Sequence, residues 1–391
     1  MLNTPFSPWP SFTAEEAKAV SDVLLSNRVN YWTGEEGRRF EEEFAAWVGS
    51  RFAIAINNGT VALEIALRAL GIGAGDEVVV TPRTFVASAS SIVSVGAIPV
   101  FADVDPDSQN ITASAIDHVL SPRTRAVMCV HLAGWPCEMD EIRQLCAPRG
   151  ISLIEDCAQA HGALNRGRGV GTLGDVAGWS FCQDKIISTG GEGGMITTNS
   201  EAIWRAAWAY KDHGKAYDAV YGREHPPGFR WLHESFGTNG RMLEMQAAVG
   251  RIQLRRMHAW HRGRVQNATH ILRACGESAA LRVPVVPAHI EHAWYRAYAF
   301  VRPEALKESW SRDRIIGEIN TLGVPCYAGS CSEVYLERAF DGTAFRPRER
   351  LPVARQLGDT SMMFLVHPTL TDAEIERTQH AVQRIMQLAT R

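Results

Sequence analysis

The chain has 391 residues and carries 40 lysines and arginines against 43 aspartates and glutamates, a formal net charge of −3. Hydrophobic residues make up 46% and charged residues 21%, which is ordinary for a globular protein and excludes a collagenous or disordered chain. The near-neutral charge argues against a dedicated nucleic-acid or anionic-membrane binder, and the length favours two or three domains.

The sequence contains no recognisable targeting or metal-binding pattern. The N-terminal stretch MLNTPFSPWPSF has neither the basic start nor the apolar core of a signal peptide. No apolar run approaches the roughly 18 to 20 residues that span a bilayer. The eight cysteines include no CxxC pair, and Cys326 and Cys331 lack a second ligand pair, so we expect no metal site. These features predict a cytoplasmic protein in a reducing compartment.

Short apolar runs alternate with helical stretches over the first half of the chain. The predicted strands are 52–56, 77–81, 98–104, 126–132, 151–156, 176–181 and 194–198. Their near-continuous apolarity is typical of strands buried on both faces, as in a parallel or mixed sheet covered by helices. Segment 60–71 has helical spacing and ends at a glycine. The alternation predicts a large α/β domain.

The pattern changes after about residue 260. A strand over 293–301, an amphipathic helix over 311–323 and a capped helix over 371–390 predict a smaller α+β unit. We therefore expect a large domain over residues 1–255 and a small C-terminal domain over 256–391. Segment 221–240 is aromatic and punctuated by proline and glycine, so we expect an irregular, functional or interfacial loop there.

Lys185 is the most informative single residue. It follows a predicted buried strand and precedes the glycine-rich turn TGGEGG. Partial burial would lower the pKa of the lysine amine and prepare it to attack an aldehyde and form a Schiff base. The alternative is a lysine at a strand end that reaches to solvent.

Asp156 ends an apolar strand within IEDCAQAHGA. Ligands of open α/β sheets gather at the carboxyl ends of strands, and a buried aspartate requires a partner such as a protonated pyridine nitrogen. Gln159, three residues later, is placed to hydrogen-bond the same ligand. The alternative is that Asp156 caps a following helix.

Two further segments follow strands in the same way. Gly59 and Thr60 begin a helix directly after a strand, which is a natural phosphate site, although such residues also cap helices for structural reasons. Phe85 follows the next strand and is placed either to stack on a flat heteroaromatic ring or to pack in the core.

Taken together, these segments supply a phosphate anchor, a stacking face, a carboxylate and a lysine in chain order, the set that pyridoxal 5′-phosphate requires. The chain also resembles the DegT/DnrJ/EryC1/StrS sugar aminotransferases nearly end to end. The resemblance is carried by motifs that include NNGTVALEIALRAL, IEDCAQAHGA, SFCQDKIISTGGEGGMITTN and GTNGRMLEMQAAVGRIQL. It implies the fold type I, aspartate aminotransferase-like architecture, with a mostly parallel seven-stranded sheet.

The resemblance also assigns roles to individual positions. It implies that Lys185 is the catalytic lysine that holds pyridoxal 5′-phosphate covalently and that a partner subunit completes the site in a homodimer. The implied cofactor contacts are Gly59, Thr60, Phe85, Asp156, Gln159, Ser180, Lys185 and, from the partner subunit, Asn239. Tyr31, Trp32, Tyr327, His161 and His367 are further family-like positions near the expected cleft, without an assigned role.

The implied reaction is a ping-pong transamination from an amino donor, L-glutamate in most of the family, to a carbonyl of a nucleotide-linked sugar, for surface polysaccharide or secondary-metabolite sugars. Alternatives are a free keto- or aldehydo-sugar acid, such as one on a route to an 8-amino octulosonate, or a cyclitol. Segment 215–237 is expected either to line the acceptor site or to brace the dimer. The residues that would line such a site are Arg223, His225, Arg230, Trp231 and His233.

The sequence is less consistent with two other classes of protein. A nicotinamide-dependent enzyme would need GxGxxG between the first strand and helix, and NNGTVA does not fit. A non-catalytic regulator on the same fold would be expected to have lost Lys185 or Asp156, and both are present.

Overall fold

The computed structural model describes residues 5–224 and 230–391. The strands in chain order are β1 Phe52–Ile56, β2 Glu77–Val80, β3 Ile98–Phe101, β4 Thr124–Val130, β5 Ser152–Asp156, β6 Leu164–Asn165, β7 Arg168–Gly169, β8 Val176–Ser180, β9 Gly194–Thr198, β10 Leu281–Arg282, β11 Ile290–Glu291, β12 Ala297–Val301, β13 Cys326–Tyr327 and β14 Ser361–Phe364. The helices are α1 Ala14–Ser26, α2 Glu36–Val48, α3 Gly59–Ala69, α4 Ala87–Ser94, α5 Ala113–Asp117, α6 Met139–Cys146, α7 Glu201–Lys211, α8 Tyr217–Tyr221, α9 Glu244–Gly276, α10 Arg312–Thr321, α11 Pro352–Thr360 and α12 Asp372–Ala389.

Seven strands form one large sheet in the order β1-β9-β8-β5-β4-β2-β3. The pairs β2–β3, β2–β4, β4–β5 and β5–β8 are parallel, whereas β9 runs antiparallel to both β1 and β8. The sheet is therefore mostly parallel, and the carboxyl ends of all its strands except β9 lie along one edge, where ligands of open α/β sheets bind. The predicted sheet of seven strands is confirmed, and β1 and β9 have the predicted bounds.

Helix α3 shows why the local sequence folds as it does. The Asn58 side chain caps the helix by accepting a hydrogen bond of 2.9 Å from the Val61 N–H. Apolar residues of α3 pack against the large sheet, and Leu63 lies directly over Gly178 in β8. A Cβ on Gly178 would fall 2.7 Å from the Leu63 Cδ2, so only glycine allows the helix to approach the strand this closely.

A second sheet of four short antiparallel strands, in the order β10-β12-β14-β13, forms the core of the C-terminal part with α10 and α12. Helix α9 connects the two cores: Leu254 and Met257 pack in the first, and Ala268 and Ile271 in the second. The predicted boundary at residue 255/256 falls inside this helix, and the division of the chain at that point stays a prediction. A third sheet, β11-β6-β7, is small.

Two further features bear on the expectations from composition. All eight cysteines lie in the described part of the chain and are free thiols, six of them buried. Among the described residues, no helix combines the length and the apolarity needed to cross a membrane.

The contact between Gly178 and Leu63 generates a stability prediction. Replacing Gly178 with Ala should lower the free energy of unfolding by about 1–3 kcal/mol, because the added methyl group overpacks the α3–β8 interface. Gly317→Ala is the matched control: it lies in α10 with no atom within 4 Å of an added Cβ, and it should be neutral or stabilising by up to about 1 kcal/mol. Equal midpoints of urea unfolding for the two variants would contradict this packing argument.

Candidate active site

The predicted site residues lie along one edge of the large sheet. Asp156 is the last residue of β5 and Ser180 the last residue of β8. Gly59 and Thr60 begin α3 immediately after β1, and Phe85 and Lys185 lie in the loops after β2 and β8. The structure thus brings these segments, which are far apart in sequence, to the carboxyl ends of strands along one edge of the sheet.

The first turn of α3 lies against the end of β8. A Cβ at Gly59 would fall 2.6 Å from the Ser180 Cβ, so no larger residue fits there. Asn58 uses the Val61 N–H, and the N–H groups of Gly59 and Thr60 find no acceptor among the described residues. Two free N–H groups, the positive end of the helix dipole and the Ser180 hydroxyl together form a cradle suited to a phosphate.

Asp156 is buried and hydrogen-bonded at both carboxylate oxygens. Ser88 donates to Oδ2 at 2.7 Å and the Ala158 N–H donates to Oδ1 at 3.1 Å. Residues 157–163 are not helical, so the capping alternative for Asp156 does not apply. Burial raises its pKa, although the hydrogen bonds and the charge of Lys185 act in the opposite direction. A buried carboxylate of raised pKa is stabilised by a protonated heterocyclic nitrogen at its side.

Phe85 and Gln159 flank this carboxylate. Phe85 is 68% exposed, so the alternative of a core position is wrong, and its ring is free to stack on a planar ligand. Its carbonyl accepts a hydrogen bond from the N–H of Ser88, the residue that also binds Asp156. Gln159 is buried and its Oε1 accepts a hydrogen bond of 2.7 Å from the Ala133 N–H, which leaves its amide N–H₂ group for a ligand.

Lys185 is largely enclosed, with a side chain that is 15% exposed, so it is not a solvated strand-end lysine. Its Nζ lies 3.5 Å from Asp184 Oδ1 and 5.3 Å from the centre of the Tyr295 ring. The prediction of a lowered pKa is wrong. Burial does act to lower the pKa of Lys185, but its electrostatic interactions with Tyr295 and with the carboxylate of Asp184 outweigh burial, and the pKa is raised.

Three residues that sequence reasoning missed hold Lys185 in place. The Trp9 indole N–H donates to the Lys185 carbonyl at 2.8 Å. The Tyr295 hydroxyl donates to Asp184, and that hydrogen bond, with the charge of Lys185, overcomes burial and lowers the pKa of Asp184. The position of Asp184 next to Lys185 was a usable signal. Trp9 and Tyr295 lie far from Lys185 in the sequence, and no sequence pattern indicated them.

Asn239, predicted to reach a partner subunit, is exposed and lies beside Asp212 in an isolated antiparallel bridge. The next residue, Gly240, accepts a hydrogen bond of 2.9 Å from the Asn57 N–H, which anchors this segment near the start of α3. In its own chain Asn239 is therefore presented at the surface next to the phosphate cradle. Its contact with a second subunit stays a prediction.

Of the five other family-like positions, Tyr327 lies in β13, partly buried against the C-terminal core, and the remaining four fall into two groups. His161 and His367 are buried close to Lys185 and Trp9; burial and the charge of Lys185 lower the pKa of His161 to about 3. Tyr31 and Trp32 pack edge to face with each other and belong to an aromatic cluster with Trp208.

Within segment 215–237, the described residues form α8 and an exposed stretch. Arg223 pairs with Glu234, and Trp231 and Phe236 point to solvent. Lys215 bridges to His233 through a short antiparallel contact. His225 lies outside the described residues. Both interpretations of this segment, acceptor site or dimer brace, remain open.

One buried cluster contains three residue types that can bind metal: His131, Glu155 and Cys157. His131 Nε2 lies 2.9 Å from Glu155 Oε2, and the Cys137 N–H donates to His131 Nδ1 at 3.0 Å. The Glu155 carboxylate also accepts backbone hydrogen bonds from Gly171, Leu173 and Gly174. Because N–H donors surround this carboxylate, we interpret the cluster as a hydrogen-bonded structural unit.

The site as a whole fits pyridoxal 5′-phosphate. The cradle at Gly59, Thr60 and Ser180 suits its phosphate, and the exposed Phe85 ring suits its pyridine face. The buried carboxylate of Asp156 and the enclosed amine of Lys185 lie in the same site, where the charge of Lys185 acts to lower the pKa of Asp156. The N–H groups of the cradle lack an acceptor among the described residues, and the carboxylate of Asp156 is complementary in charge to a protonated ring nitrogen.

The sequence model described as the DegT/DnrJ/EryC1/StrS aminotransferase family matches residues 10–383. The chain is 35% identical over 372 residues to a GDP-perosamine synthase of Caulobacter vibrioides, covering 93% of this chain and 95% of that protein. It is 32% identical to the dTDP-3-amino-3,4,6-trideoxy-alpha-D-glucose transaminase of Streptomyces venezuelae, covering 95% and 92%. The X-ray structure of an aminotransferase from Psychrobacter cryohalolentis superposes with a TM-score of 0.97, with 60% identity and coverage of 98% and 99%.

These similarities extend over nearly the whole chain and agree with the geometry of the site, and the predicted aspartate aminotransferase-like fold is confirmed. The chain belongs to the DegT/DnrJ/EryC1/StrS aminotransferase family and is a transaminase that uses pyridoxal 5′-phosphate.

Proposed function

We propose that this protein transfers an amino group from L-glutamate to a carbonyl of a nucleotide-linked sugar, in two successive half-reactions at one site. The observation that carries the proposal is the enclosed amine of Lys185 beside the phosphate cradle and Asp156. The names of two relatives, a GDP-sugar and a dTDP-sugar enzyme, support a nucleotide-linked acceptor. The amino and oxo groups exchange places between the substrates, so the reaction needs no external oxidant or reductant.

Lys185 is the proposed acid–base residue. The chemistry that pyridoxal 5′-phosphate supplies when bound is an electron-withdrawing ring that accepts the electron pair released at the donor α-carbon. Lys185 Nζ removes the proton from that carbon in the first half-reaction and gives a proton to the aminated carbon of the acceptor in the second. Asp184 and Tyr295 hold the amine within the site, and Trp9 fixes the backbone of the lysine.

The remaining predicted residues are proposed to bind and orient the cofactor. Gly59, Thr60 and Ser180 hold its phosphate, and Phe85 covers one face of its ring. Asp156 keeps the ring nitrogen protonated, which requires the carboxylate to stay ionised; the Ser88 and Ala158 hydrogen bonds favour this form. The amide of Gln159, held by Ala133, is directed at a ring substituent.

We also propose a homodimer in which each site receives Asn239 from the partner subunit. The exposed segment that carries Asn239 includes Phe236, which is 98% exposed, and Trp231 and Leu243 are exposed nearby in sequence. Large apolar side chains concentrated in this way on a surface are typical of an interaction site. The Asn57–Gly240 hydrogen bond anchors this segment near the start of α3.

Replacing Lys185 with Ala should lower transamination by about 10³-fold, since the variant loses its acid–base group. Borohydride should attach the cofactor to the peptide that contains Lys185 in the wild type and in Lys18→Ala, a control whose lysine pairs only with Asp22 on the surface of α1. Mass spectrometry of the digested protein measures the attachment. Labelling at another lysine, or full activity of Lys185→Ala, would sink the assignment.

Mixing two inactive variants tests the shared site. When Lys185→Ala and Asn239→Ala subunits exchange, half of the dimers are mixed and each contains one intact site, so activity should recover to about a quarter of the wild-type value. Lys185→Ala mixed with Asp156→Ala should not recover, because these two residues belong to the same subunit's site. Recovery in both mixtures, or in neither after exchange is demonstrated, contradicts the proposal.

A substrate screen tests the acceptor. L-Glutamate is held fixed while the acceptor is varied. With a nucleotide-linked ketosugar as acceptor, glutamate should yield 2-oxoglutarate over many turnovers. With a free keto- or aldehydo-sugar acid or a cyclitol, it should yield no more than one equivalent per site. Turnover with a free sugar acid alone would replace the nucleotide-linked acceptor by the second candidate. The role of segment 215–237 and the pathway stay predictions.

A further inference from the structure

Arg296, immediately before β12, is a buried cation that forms no ion pair with any described carboxylate. The residue is 5% exposed, and its guanidinium donates to the Tyr295 carbonyl at 2.9 Å. Among the residues that the structure describes, it forms no ion pair with a carboxylate. A buried arginine usually has a carboxylate or phosphate partner, because removing its charge from water is costly. The absence of a described carboxylate partner for Arg296 therefore requires an explanation.

The position of Arg296 links it directly to the active site. Its guanidinium carbon lies 4.1 Å from the centre of the Tyr295 ring, the same ring that Lys185 Nζ approaches to 5.3 Å. The N–H groups of Tyr295 and Arg296 both donate to the Ala133 carbonyl, at 2.9 and 3.4 Å. The Ala133 N–H in turn binds Gln159, so the start of β12 is fixed to the proposed cofactor pocket.

The backbone at this junction is held in an unusual conformation. Ala133 has φ 57° and Trp294 has φ 50°, both in the left-handed region that residues other than glycine rarely adopt. A Cβ at the neighbouring Gly134 would fall 2.9 Å from the Ala293 Cβ, so the two segments are in tight contact. Strain of this kind persists where the surrounding structure fixes a side chain for a function.

The charges around Arg296 leave an excess of positive potential. Lys185, Arg264 and Arg296 lie together, and Asp184, which already accepts the Tyr295 hydroxyl, is the carboxylate nearest to Lys185. Burial and the charges of Arg264 and Arg296 lower the pKa of His367 to about 3. Because the buried histidine cannot gain a proton there, the site favours an anion rather than a further cation.

Arg264 does not account for that anion. It is completely buried; its Nε and Nη2 have no partner, and its guanidinium lies 4.9 Å from the Trp9 ring, which covers it. No nitrogen of Arg296 is both fully buried and unpartnered, and Arg296 adjoins the ring that contacts Lys185. Arg264 contributes positive potential without contacting the anion, whereas Arg296 is placed to contact the anion directly.

We propose that Arg296 binds a carboxylate of the amino donor while Lys185 acts at the donor α-carbon. The inference rests on the proposed function, because a sugar carbonyl has no carboxylate for this arginine to neutralise. A guanidinium presents a planar fork of N–H donors that matches a carboxylate and forms charge-assisted hydrogen bonds. Arg296 thereby selects an α-amino acid over a simple amine as the donor.

The donor half-reaction tests this inference without the sugar. Holoenzyme is mixed with L-glutamate alone, and the single equivalent of 2-oxoglutarate released is followed as a function of glutamate concentration. Arg296→Gln should raise the half-saturating concentration about 10- to 100-fold, the range expected for losing charged hydrogen bonds. Arg296→Lys, which keeps the charge but not the planar fork, should give a smaller increase.

A binding measurement separates recognition from catalysis. Isothermal titration of holoenzyme with glutarate, a dicarboxylate that has no amino group, should show the same loss of affinity in Arg296→Gln. Arg282→Gln is the matched control, because Arg282 also stacks on an aromatic ring of the same sheet, 4.4 Å from the centre of Phe300, but pairs with Asp107 outside the site. It should bind glutarate as the wild type does.

The outcomes are distinguishable. Unchanged glutarate affinity and unchanged half-saturation in Arg296→Gln, with the cofactor absorbance of the wild type, overturn the role of Arg296 and leave the proposed function standing. If wild-type enzyme releases no 2-oxoglutarate from glutamate, the proposed donor is wrong, and the inference falls with it. If Arg296→Gln does not fold, an unchanged half-saturation in Arg296→Lys overturns the inference in its place.

Discussion

The close approach of helix α3 to strands β8 and β9 is the constraint on which the rest of the site depends. Three glycines permit it: a Cβ at Gly59 would fall 2.6 Å from Ser180, one at Gly178 2.7 Å from Leu63, and one at Gly194 2.6 Å from the Asn58 backbone. Each contact lies well inside normal packing distances, so each position excludes every other residue unless the backbone moves. The free N–H groups of α3 are thereby fixed beside Ser180, five residues before Lys185. The proposed phosphate site and Lys185 therefore belong to one tightly packed, rigid unit. A site that orients a cofactor requires such rigidity.

Electrostatics divides this unit into regions with different tasks. Asp156 receives hydrogen bonds that favour its ionised form in a buried setting, which suits a positively charged ring nitrogen. On the far side of Lys185, Arg264 and Arg296 outnumber Asp184, which suits an anionic substrate. The charge of Lys185 acts on Asp156, the charge of Arg296 acts on Lys185, and the pKa of Lys185 is raised. An amine of raised pKa is already protonated at neutral pH and cannot accept a proton, so we infer that its activity depends on the charges that a bound cofactor and substrate bring to the site.

The sequence predicts the framework of this site well and its surroundings poorly. The strands that carry Asp156 and Ser180 are apolar runs of strand length, and this local signal predicted both strands. The four segments predicted to bind the cofactor were identified because each follows a strand, and parallel strands end at one edge of a sheet. The pKa of Lys185 was predicted in the wrong direction, because burial is a local property that a sequence suggests, whereas Tyr295, 110 residues further along the chain, is a partner that only the folded structure brings near.

The same reasoning explains why Trp9, Tyr295 and Arg296 had no signal in the sequence. Trp9 reaches Lys185 across the chain from the N-terminal segment, and Arg296 stands in a run, AWYRAYAFV, that has the pattern of an ordinary buried strand. Within such a run an arginine is most simply interpreted as a residue at a strand end that reaches solvent. Its burial without a counter-ion becomes visible only when every neighbour is known. A buried charge that no described residue neutralises is therefore information that the fold adds to the sequence, and it is the basis for proposing a ligand at Arg296.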